Sequence, residues 1–266
     1  MVFCTSLHFY LFCFAMKNIR YTLGLLAGFA WMLSGCSSVY LPNTPNTPML
    51  SSQGELSAGG HITLKGNASF NSAYAVTHHI GVIVNGAMMN SNRTKKDFRH
   101  NLIEAGGGYF TTFGKDGTRV LEIYTGIGRG SSDRTFKDKT TEGVVTKDRQ
   151  ETTFNKYFLQ VNYSSKDKKL LRLLGRTFPL NYGTALRASY VNMDEFTRND
   201  IKQPGEDNIF LEPIFFTRMV VSPSVQLQYT TGSNFGLKNR KYLTAGSSVF
   251  SAGFVINVGG KVQGKK

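Results

Sequence analysis

The chain has 266 residues, and its 31 Lys and Arg outnumber 17 Asp and Glu to give a net charge of +14. Cysteine stands only at positions 4, 13 and 36, so the chain after Cys36 can form no internal disulfide and must be held by hydrogen-bond ladders and packing. That length fits one domain, particularly an all-β one.

Lys17 and Arg20 form a short positive region, and residues 22–33 form a 12-residue apolar run without charge. The run is too short for an ordinary transmembrane helix and has the layout of a signal peptide. It ends in Leu33-Ser34-Gly35-Cys36, which resembles the lipobox of bacterial lipoproteins. That resemblance implies cleavage before Cys36, acylation of its sulfur, and a signal peptide over residues 1–35. Residues 1–15 carry no Lys or Arg, and Met16 directly precedes the positive region, which makes Met16 the expected true start. A diacylated or triacylated cysteine meets the usual need for two lipid signals in stable anchoring. Ser37 follows it; the absence of Asp there points to the outer membrane by resemblance to lipoprotein sorting in enteric-type bacteria.

Without the leader the chain carries 29 basic and 17 acidic residues, net +12. An exported lipoprotein rarely meets nucleic acid, so this charge suits an anionic lipid or lipopolysaccharide surface. Residues 36–53 hold the lipidated cysteine and a spacer with Pro42, Pro45 and Pro48 among Asn, Thr and Ser, including a doubled Asn-Thr-Pro. Proline at that density predicts an extended, semi-rigid tether.

From residue 54 to 260 the pattern changes to segments of about ten residues with alternating polarity, separated by turn residues. Ten are legible: 55–64, 66–76, 79–89, 100–112, 118–129, 153–164, 182–194, 208–220, 225–231 and 248–258. In the fifth, Leu121, Ile123 and Ile127 oppose Glu122. In the sixth, Tyr157, Leu159, Val161 and Tyr163 oppose Lys156, Gln160 and Asn162. A tilted strand of about 9–11 residues spans a bilayer core, and strands span lipid only as a closed barrel. The expected fold is therefore all-β: a closed antiparallel up-and-down β-barrel of about ten strands, apolar side to lipid and polar side inward. The last residues, 261–266, read as a basic tail.

Connection lengths agree in part. Residues 77–78, 113–117 and 221–224 read as short periplasmic turns, and 90–99, 130–152, 195–207 and 232–247 as long outer loops. A lipid on Cys36 in the inner leaflet would put the start of the chain on the periplasmic side. The tight first connection near Lys65-Gly66 and the long sixth one, 165–181, break the rule, which leaves eight or twelve strands open. A soluble β domain on a lipid tether, binding a small ligand or envelope partner, remains the alternative, since one-sided burial also alternates.

With the lipobox and the Pro-rich segment, the chain resembles uncharacterised barrel lipoproteins of Bacteroidetes. Residues 54–64 and the run Ala73 to Gly81 look like their opening hairpins. The resemblance implies a location and a fold but no chemistry.

Six charges share the inward phase: Glu104, Glu122 and Glu212 with Lys156, Arg187 and Arg218. Unpaired buried charge is very costly, so they predict a salt-bridged, plugged lumen. No catalytic residue, metal site or cofactor is assigned, and the expected protein is not an enzyme. His78 and His79 are adjacent and would point apart, a poor chelating pair. His61, Ser57, His100 and Glu104 could supply base and nucleophile to an envelope-lipid-modifying barrel enzyme, but no spacing motif brings them together. Gly106-Gly107-Gly108 sits in a strand pattern with no following helix, which predicts a bend or close packing instead of a phosphate loop.

Overall fold

A computed structural model describes residues 38–140, 143–173, 175–244 and 249–260. The leader, Cys36 and the basic tail lie outside the described residues.

The strands are β1 (Leu56–Thr63), β2 (Ala68–Ala75), β3 (Ile80–Arg93), β4 (Lys96–Phe113), β5 (Arg119–Thr140), β6 (Gly143–Leu173), β7 (Arg176–Arg198), β8 (Ile201–Lys202), β9 (Asp207–Val220), β10 (Val225–Gly232), β11 (Phe235–Gly236) and β12 (Val249–Val258). β8 and β11 are two-residue pieces on the rim. The other ten pair antiparallel in the order β1-β2-β3-β4-β5-β6-β7-β9-β10-β12. β12 then pairs back on β1, from Leu56 opposite Val258 to Thr63 opposite Ser251. Every stave has two neighbours, so the sheet is a closed ten-strand barrel without an edge. No described helix is long and apolar enough to cross a membrane, which does not bear on strands.

Alternation decides which side is which. Along β6, Tyr157, Leu159, Val161 and Tyr163 are exposed, and Lys156, Phe158, Gln160, Asn162 and Ser164 are buried. Ile103, Ile123, Ile127, Leu186, Phe215 and Leu227 continue the exposed apolar belt around the ring. Tyr157 and Tyr163 flank Leu159 and Val161 on β6. Tyr157 stacks with Tyr190 at one end, and Tyr163 meets Phe113 at the other. Aromatic girdles of this kind mark the two membrane interfaces.

The residues expected to form the long outer loops 90–99 and 130–152 are mostly strand. β3 and β4 stay paired to Arg93–Lys96, and β5 and β6 to Thr140–Gly143. These extensions have no apolar face, so periodicity carried no signal for them. Cross-strand charge pairs occupy them instead, such as Lys147 with Asp138 at 3.1 Å and Arg149 with Asp133 at 3.3 Å. The sixth connection, 165–181, is likewise a hairpin in which Lys169–Leu173 pair with Arg176–Leu180.

On the upper extension, the Asp148 carboxyl is held below the ordinary range. Burial pushes it up, but hydrogen bonds from Arg198 (2.7 Å) and Gln150 (2.5 Å) outweigh this. A depressed carboxyl stabilises the fold above its unfolded pKa of about 3.9 and loses that contribution as pH falls through the folded value. Limited proteolysis across pH checks this. Nicking near residues 148–150 should rise only below about pH 4, and Asp148→Asn should show the same nicking at neutral pH.

Gly108 marks a close approach between strands. A Cβ there would lie 1.9 Å from the Ile123 carbonyl oxygen and 2.7 Å from Tyr124. Gly106 is similarly crowded against the Thr125 carbonyl. Gly108→Ala should therefore destabilise the barrel by about 1–3 kcal/mol, read as a lower temperature for conversion of the unboiled to the boiled gel band.

Candidate functional site

The inward faces do not enclose an empty pore. Of residues 36–53, expected to be a lipidated, semi-rigid tether, the part from Ser38 to Leu50 runs through the lumen. Val39, Tyr40, Asn43, Thr44, Asn46, Thr47, Met49 and Leu50 are all buried. The correction has a physical basis. A proline-rich segment favours the extended polyproline conformation, which makes no internal hydrogen bonds and leaves its carbonyls and Asn and Thr side chains free to bond outward. The lumen wall supplies matching groups.

Two apolar layers seal the ends. At the end with the extended β3–β4 and β5–β6 hairpins, Tyr40 stacks on Phe210 (4.8 Å) and meets Phe154 edge-on (5.6 Å), beside Leu102, Phe196 and Leu243. At the end with the turns 76–79 and 221–224, Leu50 packs with Ala75, Ile83, Phe110, Tyr124 and Phe158. Gly81 makes room there, since a Cβ on it would stand 2.8 Å from the Leu50 side chain.

Between the seals lies the polar layer. Lys156 Nζ sits 2.8 Å from Glu104 Oε1 and 3.7 Å from Glu212 Oε2. Its approach to Glu104 is a close ion pair lacking hydrogen-bond alignment. Arg187 Nη1 reaches Glu104 Oε2 at 3.1 Å, and its guanidinium lies over the Phe158 ring at 4.7 Å. Two carboxylates and two cations thus form one neutral cluster. Glu122 and Arg218, the other two inward charges read from the sequence, lie outside it and hold the inserted segment directly. Glu122 accepts from the Leu50 backbone N–H (3.0 Å), Tyr124 OH (3.1 Å) and Asn162 (3.0 Å). Arg218 donates to the Thr47 carbonyl, to Thr47 Oγ1 (3.1 Å), to the Pro48 carbonyl (3.4 Å) and to Gln228 (2.6 Å).

The segment also completes the four-charge cluster. Asn43 Nδ2 donates to Glu104 Oε2 at 2.8 Å, and Asn43 Oδ1 accepts from Arg187 at 2.7 Å. Tyr40 OH donates to Glu212 Oε1 at 2.8 Å. Asn46 donates to Asn85 Oδ1 (2.9 Å), and Asn85 Nδ2 donates to Glu104 (3.2 Å). The Asn46 carbonyl accepts from Gln160 and Asn162. Both copies of Asn-Thr-Pro therefore bond into the same wall. The residues that sequence reasoning missed are the partners from the segment, Tyr40, Asn43, Asn46 and Thr47. The doubled motif was their only signal.

The histidines do not assemble into a reactive pair. His100 is packed between Phe98 and Phe154, and its Nε2 accepts from the Leu41 N–H at 3.4 Å. His61 and Ser57 are buried on the lumen face of β1. His79 stacks on Tyr109, with Nδ1 3.2 Å from the Phe110 carbonyl, and His78 is exposed. Among the described residues, no group of three or more His, Cys, Asp or Glu could hold a metal ion.

The fold is a closed antiparallel β-barrel, and several solved barrel structures are similar to it. The translocator domain of the autotransporter NalP from Neisseria meningitidis is similar at 12% identity, covering 78% of this chain and 86% of that one, with a TM-score of 0.43. The β domain of the Bordetella autotransporter BrkA is similar at 10% identity, covering 76% and 98%, with a TM-score of 0.27. The siderophore receptor PirA from Pseudomonas aeruginosa follows at 9% identity, covering 73% and 38%, with a TM-score of 0.18. No protein-family profile and no curated protein matches the chain. None of these likenesses carries a residue role to this chain.

Proposed function

We propose that the protein is a non-enzymatic outer-membrane lipoprotein, acylated at Cys36, whose barrel is kept closed by its own N-terminal segment. Its role is structural or surface-interacting, with membrane lipid around the belt and lipopolysaccharide as the fitting partner for its net positive charge. The observation that supports this most is the occupied lumen. Residues 40–50 hydrogen-bond to Glu104, Glu122, Arg187, Glu212 and Arg218 from inside the barrel. Those charges are therefore used in holding the segment. The exposed apolar belt favours a membrane-embedded barrel over a soluble domain, because contiguous exposed apolar surface of this kind needs a lipid or protein covering.

Planar-bilayer recording tests the reading. The intact protein should show no large steady conductance. A variant with residues 40–50 replaced by a Gly-Ser run of equal length should conduct. Large steady conductance from the intact chain would contradict the proposal.

A further inference from the structure

We infer that the N-terminal segment is threaded outward: the chain enters the lumen at Ser38 from the long-hairpin side of the membrane, the side on which a lipid on Cys36 would have to be attached. For the acyl chains this rests on the lipoprotein reading above; the direction of threading does not.

The path of the chain carries the inference. Val39 N–H donates to the Tyr242 carbonyl (3.2 Å), in the rim loop that precedes β12. That loop is itself clamped: the Glu206 carboxylate accepts the backbone N–H groups of Lys241, Tyr242 and Leu243 at 2.8–3.0 Å. Asn208 Nδ2 donates to the Leu243 carbonyl at 2.7 Å. The segment thus leaves the lumen beneath a held loop. At the opposite end, Leu50 is bound to Glu122, and Gly54 N–H donates to the Ala75 carbonyl (2.9 Å), just before the 76–79 turn. Glu55 accepts from Ser51 and Ser52, Gly54 adopts φ +79°, and the chain reverses into β1. It has come down the lumen and goes back up the wall.

Lengths close the argument. Eleven residues, from Tyr40 to Leu50, make ten steps and span at most about 31 Å at the ~3.1 Å per step of an extended polyproline chain, Met49 departing from that form at φ +63°; this is close to the ~30 Å hydrocarbon core. Cys36 is two residues before Ser38, and two extended residues reach at most about 7 Å. Cys36 cannot return to the short-turn rim. Bacterial barrels carry their longer loops outside and short turns in the periplasm. By that rule the rim with the β3–β4 and β5–β6 hairpins is the outer one, the β6–β7 hairpin (Lys169–Leu173 against Arg176–Leu180) extending from the opposite rim as an exception, so the acyl chains belong in the outer leaflet. The expected inner-leaflet anchor, with the chain starting on the periplasmic side, does not fit this path.

The test compares Ser37→Cys with Lys95→Cys in the long-hairpin turn and Ser224→Cys in a short turn. Intact cells are treated with a membrane-impermeant biotin maleimide, with the parent chain as the blank. Ser37→Cys should label like Lys95→Cys, whereas Ser224→Cys should label only after permeabilisation. Labelling of Ser37→Cys together with Ser224→Cys would overturn the inference. If a cysteine variant fails to give the heat-modifiable band, an epitope inserted between residues 37 and 38 and read by antibody serves the same comparison. Incorporation of an alkyne-bearing palmitate, lost in Cys36→Ala, reports lipidation separately. Co-labelling of Ser37→Cys with Lys95→Cys without palmitate would keep the threading and sink the lipoprotein reading.

Discussion

Replacing Glu104 with alanine should destabilise the folded barrel by about 3–5 kcal/mol, the cost of stranding buried charge. Glu104 is the hub of the lumen: Lys156 lies 2.8 Å away, Arg187 3.1 Å, Asn43 2.8 Å and Asn85 3.2 Å, all without solvent. Without it, Lys156 and Arg187 have only Glu212 nearby to offset two cations. Urea unfolding in detergent micelles measures the loss. The double variant Glu104→Gln with Lys156→Met should lose less than the two single changes combined, because both partners then go together. A Glu104→Ala barrel as stable as the parent would mean that this cluster does not hold the lumen.

Leu159→Arg should cost about 2–4 kcal/mol in a bilayer, the penalty for a cation on the lipid face at mid-depth. Leu159 is 54% exposed and lies between the exposed Tyr157 and Tyr163 on β6. Thr146→Arg, on the same strand but on the charged extension, should cost about 0–1 kcal/mol, as near or beyond an interface. Reversible folding into vesicles across a denaturant series measures both. Equal costs at the two positions would remove the lipid from the picture.

Both variants depend on alternation, and that is the part of the fold the sequence makes legible. Every one of the ten segments read from polarity corresponds to a stave. The phase was also readable: Glu122 inward against Ile123 outward, Arg187 inward against Leu186 outward. What stayed hidden had no periodic signal. The β5–β6 extension alternates Ser, Asp, Thr and Lys, polar on both faces in water, so its pairing cannot be told from a loop by hydropathy. The lumen segment was hidden for another reason. Pro42, Pro45 and Pro48 mark an extended chain equally well whether it lies in water or inside a barrel. Only the wall decides, by presenting Asn85, Glu104, Glu122 and Arg218 at the right heights.

The charge cluster shows the same boundary. Phase alone puts six charges inside, but it cannot say that Glu122 and Arg218 serve the segment while the other four serve each other. Nor could it find Tyr40, whose hydroxyl reaches Glu212 across 172 residues of sequence. That pairing depends on the return path of the chain, which no local pattern encodes.

Fluorescence quenching by brominated lipid, at two neighbouring positions on β6, tests the arrangement most directly. The chain's single tryptophan, Trp31, lies in the expected leader; if it is retained, Trp31→Phe gives a dark background. Leu159→Trp should be strongly quenched by brominated acyl chains. Phe158→Trp, facing the Arg187 guanidinium inside the barrel, should be nearly untouched. Quenching of position 158 with protection of position 159 would contradict the account.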